Sequence, residues 1–433
     1  MSLRRPLAEN IVSLAFLQAI NYAAPLITLP YLVRVLQPSQ FGLLSFAQGI
    51  VLYFDFFTDF GFNYSATRAI ACHRDEPGAV TRIFWSALFS KVLLMTMSTV
   101  ALTLLVAATP KLRNTASLFA ANALYLVGTT LFPIWFLQGH ERMKVAVAAL
   151  GIGRLLTIPA IFLFVRSPHD YVNAAAIQAS VELTAGLVAL PFIVRRMGLR
   201  WYRPSWVDLK ETICEAWPLF LSSSALFLST SSTVVILGLL AGDIQVGYFS
   251  AADKLIKASI AALNPLGQAL YPHIAGVKRA SPHSALKIIR ASFFGVIALS
   301  VCISAAVAIF ARPACQFFLG ASFRHSGGVL ECLSPLPVLY GLISVLGAQT
   351  MLIFEMDAVF SRIMLTGALA GIPVTALFSH YLGAKGAALG SVIMAAAIVF
   401  AMFVALRSKG LHIWKDLTRV ALPLQVSPLL EPE

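Results

Sequence analysis

The chain has 433 residues, of which 12% are charged and 58% hydrophobic, with a mean hydropathy of +0.81. Soluble domains carry about 25% charged residues, so a soluble enzyme, a disordered chain and a secreted disulfide scaffold are all excluded. The net charge of +13, from 32 Lys+Arg against 19 Asp+Glu, points to nucleic acid only in a soluble protein; here its placement along the chain decides its meaning.

A bilayer-spanning helix needs about 20 mostly apolar residues. Twelve such segments are predicted, at 11–36, 42–63, 83–108, 116–137, 145–165, 173–194, 217–240, 248–275, 291–311, 329–353, 359–379 and 385–406. The first is too long for a signal-peptide core and lacks a small-residue cleavage pattern, so it is expected to be retained. It ends at Arg34. The second carries Gln48, Asp55, Asp59 and Asn63, which fall within roughly 80° on a helix and form one polar face. The third carries Lys91, nine residues past Arg82, which is about 13 Å deep at 1.5 Å per residue. The fifth carries Arg154 and the sixth Glu182. The longest connection runs from 195 to 216 and holds Arg195, Arg196, Arg200, Trp201, Trp206 and Lys210. The seventh span is rich in Ser and Thr. The eighth turns Asp253, Lys257, Asn264 and Gln268 to one face, with Lys254 beside them.

Ionisable groups inside a membrane cost several kcal/mol unless they meet a partner or a wet cavity. Lys91, Arg154, Lys254, Lys257 and Arg34 read as a cationic lining for an anionic substrate. The plainer reading is snorkelling for Arg34 and Lys254, and an i,i+4 pair with Asp253 for Lys257. Asp55 and Asp59 place two like charges on one face, so one of them is expected to stay protonated or to pair with a cation such as Arg154, and the pair suits proton coupling. Glu182 is a candidate of the same kind. Gln48, Asn63, Asn264 and Gln268 are expected to line the cavity, although helix–helix packing is the alternative use of such groups. Prolines at or within most spans predict bends.

Cation placement sets the orientation. Of the 32 Lys and Arg, 21 fall on the side that holds both termini, seven on the other and four inside spans. Cation-rich loops stay cytoplasmic, so both termini are expected inside. The halves also echo each other: Phe41–Ala47 and Val246–Ala252 align at an offset of 205, and Gly153–Pro159 aligns more weakly with Gly367–Pro373. Six helices separate each pair, which predicts a parallel six-plus-six repeat, an architecture with its substrate path between the repeats. The expected lobes are 1–200 and 201–410, followed by a cytoplasmic tail, 411–433.

There is no G-x-x-x-x-G-K-[ST] and no H-E-x-x-H or other ligand spacing, so no cofactor or metal is expected. Five cysteines without a C-x-x-C leave only a Cys315–Cys332 pairing to consider.

Several stretches carry a family resemblance. They are Leu29–Gly42 (LPYLVRVLQPSQFG), Asp59–Asn63 with Ala66-Thr67, Phe84-Trp85 with Ser90-Lys91, Pro133–Gly139 with Glu141 and Met143-Lys144, and Ala262–Pro265 with Tyr271-Pro272. In these the chain resembles the Wzx-type O-antigen transporters, polysaccharide-unit flippases of the multidrug/oligosaccharidyl-lipid/polysaccharide exporter superfamily, over nearly its whole length to about residue 406. The resemblance implies an all-α integral membrane protein of about twelve transmembrane helices in two six-helix lobes around a central cavity. It implies transfer of undecaprenyl-diphosphate-linked oligosaccharide from the cytoplasmic to the periplasmic leaflet of the bacterial inner membrane. By position, Arg34, Asp59, Lys91 and Arg154 match charges of the family pattern; Asp55 has no counterpart in it, and the tail from Leu411 departs from it. Membrane lipid and polysaccharide polymerases are the expected partners, and no nucleic acid is. Two other functions fit less well. A multidrug cation antiporter calls for an acid-dominated cavity, and a membrane polysaccharide polymerase calls for a sizeable outer loop.

Overall fold

The computed structural model of the chain describes residues 4–263 and 282–409 together with 270, 274 and 276–278; side chains are described from residue 26, except 225, 226, 229, 230, 282 and 283. Among the described residues every regular element is helical. Eight helices are long and apolar enough to cross a membrane by length and composition. Two of them contain a sharp bend, and Trp206–Leu240 and Asp243–Ala261 add two more, which gives twelve passes in the predicted order.

The first two passes form one 56-residue helix, α1 (Arg4–Asp59), bent at Gln37 with φ 60 and ψ 166. The second pass is shorter than its apolar pattern suggests. It stops at Asp59, turns through Phe60 (φ 46) and Gly61 (φ 82), and restarts as α2 (Phe62–Cys72). A Cβ on Gly61 would press on the Phe220 backbone at 2.9 Å, so the turn needs glycine for conformation and for space. Next come α3 (Pro77–Ala108), α4 (Pro110–Arg113) and α5 (Ala116–Leu131). The fourth pass breaks at Phe132-Pro133 and resumes as α6 (Ile134–Gly139). After α7 (Met143–Phe164) and α8 (Tyr171–Arg196), the connection to α9 (Trp206–Leu240) is only residues 197–205, because a capping box of Ser205 and Asp208 starts α9 early.

The second half begins with α10 (Asp243–Ala261), shorter than the predicted 248–275 among the described residues, and α11 (Pro282–Leu319). The tenth pass is built from α12 (Arg324–Leu333), α13 (Leu336–Ile343) and a π-helical stretch, Ser344–Leu352. The last two passes merge into α14 (Asp357–Ser408), bent at Gly383 with φ 56. Cys315 and Cys332 are both free thiols.

The internal repeat extends to backbone detail. Gln37 and Gly242, 205 apart, share a left-handed φ with extended ψ (60/166 and 84/173). Gly42 and Gly247, also 205 apart, lie across the lobe boundary: a Cβ on Gly42 would strike the Asp243 carbonyl, and one on Gly247 the Pro38 carbonyl. Pro38 and Asp243 are again 205 apart, so the contact is reciprocal, as about a local two-fold axis. Further along, Glu141 (φ 56) and Glu355 (φ 61) are 214 apart. Each ends a helix with the same pair of hydrogen bonds, Arg142 N to Leu137 O and Glu141 N to Gln138 O against Met356 N to Met351 O and Glu355 N to Leu352 O. Each also receives a cation, Arg74 at 2.8 Å and Lys278 at 2.7 Å. Two six-helix lobes of parallel design therefore pack around an apolar core to which both contribute, for example Leu36, Phe41 and Phe46 with Phe249, Phe323 and Leu330.

Candidate functional site

Two neighbouring cavities that share a wall lie in the helix bundle. The first, about 280 Å³, is lined by Asp55, Asp59 and Asn63 from the second pass and its continuation, Lys91 from α3, Tyr125 and Thr129 from α5, and Arg154 and Glu182 from α7 and α8. The second, about 220 Å³, shares Tyr125, Arg154 and Glu182 and adds Thr28, Leu29, Leu32, Thr157, Gln178 and Lys254. Lys254 is the residue from the second lobe in this lining.

In the first cavity Lys91 is 3% exposed and its Nζ lies 3.0 Å from Asp59 Oδ1. Burying an ammonium without such a partner is strongly unfavourable. Arg154 is one cation expected for the Asp55–Asp59 face; the structure pairs Asp59 with Lys91 of α3, whose Ser98 also bonds Thr58 and the Phe54 carbonyl of the second pass. Asp55 accepts a hydrogen bond from the Thr129 hydroxyl at 2.6 Å. Asn63 lines the same cavity although the helix breaks before it at the Phe60-Gly61 turn. Its amide oxygen is buried with no hydrogen-bond partner among the described residues. Gln48 stands one step behind the second cavity, donating to Gln178 Oε1 at 3.1 Å.

Arg154 and Lys254 line the second cavity from opposite lobes. The Lys254 ammonium also sits 4.9 Å over the Phe41 ring, a favourable cation–π position. The remaining predicted residues lie elsewhere. Arg34 is not in either cavity: it donates to the Phe317 carbonyl in the opposite lobe and packs along Gly320. Lys257 makes the i,i+4 pair with Asp253 at 2.7 Å with its side chain 55% exposed, and neither lines the two cavities. Asn264 and Gln268 lie outside the described residues.

Tyr125, Thr129 and Gln178 are site residues that the charge-based reading of the sequence passed over. The signal was present: Tyr125 and Thr129 are four apart in a mostly apolar span, as are Gln178 and Glu182, so each pair shares a helix face. A third cleft, about 320 Å³, lies between α2, α3 and α9. There Arg82 is engaged by Asp208 and Glu211, and Asp208 also accepts bonds from Ser205 and Tyr202. That network ties the inter-lobe connection to α3.

Comparison with known proteins agrees with this architecture. Residues 7–278 match the family described as polysaccharide biosynthesis protein. A protein of Escherichia coli strain K12 named as an O-antigen transporter is 33% identical over 384 residues, covering 88% of this chain and 92% of the relative. Among solved structures, the lipid II flippase MurJ in an inward closed conformation superposes with a TM-score of 0.70 at 12% identity, covering 92% of this chain and 87% of MurJ. An inward-facing multidrug resistance MATE transporter of the MOP superfamily gives 0.63 at 18% identity, covering 89% and 94%. A repeat of two six-helix lobes, a charged cavity inside an apolar bundle and the family match over more than half of the chain lead to one conclusion: the chain is a multi-pass membrane transporter that belongs to the polysaccharide biosynthesis protein family.

Proposed function

We propose that this protein is a flippase that carries undecaprenyl-diphosphate-linked oligosaccharide repeat units, of O-antigen or exopolysaccharide type, from the cytoplasmic to the periplasmic leaflet of a bacterial inner membrane. The observation that carries this reading is the pair of adjoining cavities. They supply cations and hydrogen-bonding groups inside a bundle that is otherwise apolar, which is what a diphosphate and a hydrated glycan need while their prenyl chain stays in lipid.

Alternating access of the two lobes, 1–200 and 201–410, is the mode of transfer in this reading. On the loop face opposite the termini the lobes are joined by Arg34 to the Phe317 carbonyl, by Lys111 to the Gly238 carbonyl at 2.9 Å and by the Gly42–Gly247 approach. With the cation-rich loops and both termini in the cytoplasm, that face is periplasmic, and substrate enters from the cytoplasmic side. The three carboxylates of the first cavity, Asp55, Asp59 and Glu182, favour coupling to a proton gradient. Polysaccharide polymerases receive the product in the opposite leaflet.

Deleting the protein is expected to leave single lipid-linked repeat units on the cytoplasmic leaflet. Accumulation of single units on the periplasmic leaflet would instead identify a polymerase. If Asp55→Asn/Asp59→Asn transports with an unchanged dependence on the proton gradient, the coupling reading is wrong.

A further inference from the structure

Resting on the flippase reading, the charges of the two cavities assign them different parts of the substrate. We propose that the cavity of Asp55, Asp59, Asn63, Lys91 and Thr129 is a saccharide subsite, and that the adjoining Arg154–Lys254 cavity takes the diphosphate.

The first cavity holds two cations, Lys91 and Arg154, against three carboxylates, Asp55, Asp59 and Glu182. The second holds two cations, Arg154 and Lys254, against Glu182 alone. In their ionised forms the balance changes from net negative to net positive across the shared wall of Tyr125, Arg154 and Glu182. A diphosphate set among three carboxylates in a low-dielectric site is repelled, so it belongs on the Lys254 side. Lys91 is already bonded to Asp59 at 3.0 Å with 4% of its side chain exposed. It therefore acts as a positioning residue that aims the Asp59 carboxylate, not as a phosphate ligand.

The groups left in the first cavity suit a sugar. Carboxylates accept hydrogen bonds from hydroxyl and amide N–H groups. The unpartnered Asn63 amide oxygen is a further acceptor. Tyr125 and Phe132 supply ring surface, and the volume of about 280 Å³ is that of a small-ligand site. The shared wall places the two chemistries side by side, as the bond between diphosphate and first sugar requires. The same carboxylates disfavour a uronic acid there, so the site selects a first sugar that is neutral, with hydroxyl or acetamido donors.

The test uses the full-length protein in nanodiscs of phosphatidylethanolamine and phosphatidylglycerol, with undecaprenyl diphosphate, its N-acetylhexosamine conjugate and its uronic acid conjugate as probes. Wild type is expected to bind the N-acetylhexosamine conjugate more tightly than undecaprenyl diphosphate, and the uronic acid conjugate no more tightly. Lys254→Ala is expected to weaken undecaprenyl diphosphate and its N-acetylhexosamine conjugate by on the order of tenfold, the loss of a charged phosphate contact. Asp59→Asn/Lys91→Met removes both charges at similar volume; it is expected to leave undecaprenyl diphosphate binding unchanged and to abolish the gain from the sugar. A loss of undecaprenyl diphosphate binding in that double variant as large as in Lys254→Ala overturns the assignment. So does wild type that binds all three probes equally, or that prefers the uronic acid conjugate. Wild type that binds none of them overturns the flippase reading itself.

Discussion

An ammonium group buried in an apolar bundle needs a counter-charge, and for Lys91 that is Asp59, 32 positions earlier in the chain. Removing one member of a buried pair leaves the other charge uncompensated. Lys91→Ala is therefore expected to destabilise the protein by about 3 kcal/mol, the low end for such losses because Asp59 keeps 23% of its side chain exposed. Asp59→Asn/Lys91→Met is expected to cost less than Lys91→Ala, as read from thermal unfolding in detergent. Equal losses in the two variants would remove the ion pair as the cause. At the N-terminal end of α9, hydrogen bonds from the Ser205 backbone, the Tyr202 and Ser205 hydroxyls and Arg82 hold the Asp208 carboxyl below the usual carboxylate range. A depressed folded-state value gives stability that is complete above the unfolded value of about 3.9 and is lost as pH falls below it. Asp208→Asn is expected to lower stability by about 1 kcal/mol near neutral pH, as for other lost caps. Its deficit relative to wild type should shrink when unfolding is measured below about pH 4; a deficit that stays constant would argue against the carboxylate. The identities of the charged site residues were legible at this scale, since a Lys or Asp within an apolar run stands out. Their pairing was not, because a helix face shows what it offers but not which neighbour faces it.

At the scale of elements, proline is a weaker guide to bends than backbone sign. Helices continue through Pro159, Pro191, Pro218, Pro313 and Pro373. The sharp changes of direction at Gln37, Phe60-Gly61 and Gly383 all have positive φ, while the break of the fourth pass at Phe132-Pro133 is the one at a proline among these. A proline inside a membrane helix still has neighbouring helices to satisfy the freed carbonyl, whereas a left-handed residue redirects the chain outright. The repeat makes one of these positions testable. Gly242 occupies its conformation freely, while Gln37 adopts the equivalent one with a side chain, held by its Nε2 donating to Arg34 O at 2.7 Å. Non-glycine residues in this region cost about 1–3 kcal/mol. Gly242→Gln is therefore expected to lower the unfolding temperature, and Gln37→Gly to lose less than the side-chain bond alone would suggest, or to gain. A Gly242→Gln variant as stable as wild type would refute the strain argument. None of this was visible in the apolar pattern, because hydropathy is blind to φ at single residues.

For the whole molecule, among the described residues the lobes meet through polar contacts such as Arg34–Phe317, Lys111–Gly238 and Tyr53–Ser232, and through close backbone approaches at Gly42–Gly247 and Gly61–Phe220. Arg34 and Lys111 each reach a carbonyl of the opposite lobe at a helix end, where negative partial charge gathers. Removing both, as Arg34→Ala/Lys111→Ala, is expected to raise severalfold the labelling rate of Phe41→Cys in a background free of native cysteines, since Phe41 is buried in the closed arrangement. An unchanged rate would separate these contacts from lobe closure. Residues near both termini, such as a cysteine in place of Ser408, are expected to resist impermeant reagents in intact cells; external labelling would reverse the orientation.

The repeat also exposes an asymmetry that bears on function. At the same offsets of 205 and 214, Asp55, Lys91, Arg154 and Glu182 correspond to Ile260, Val296, Ala368 and Ala396. The charged cavity thus belongs to the first lobe, while the second contributes Lys254.

The sequence by itself determined the all-helical membrane class, the order of twelve passes, the six-plus-six repeat and the identities of the intramembrane charges. Each of these is written in local composition or in periodicity, because water and lipid sort side chains by polarity along every helix. Only the tertiary structure decided that Lys91 belongs to Asp59, that Arg34 joins the lobes instead of lining a cavity, that Lys257 closes on its own helix, and that Arg154 and Lys254 line one cavity from opposite lobes. Those outcomes depend on the rotation and crossing of helices far apart in sequence, and no single helix carries that information.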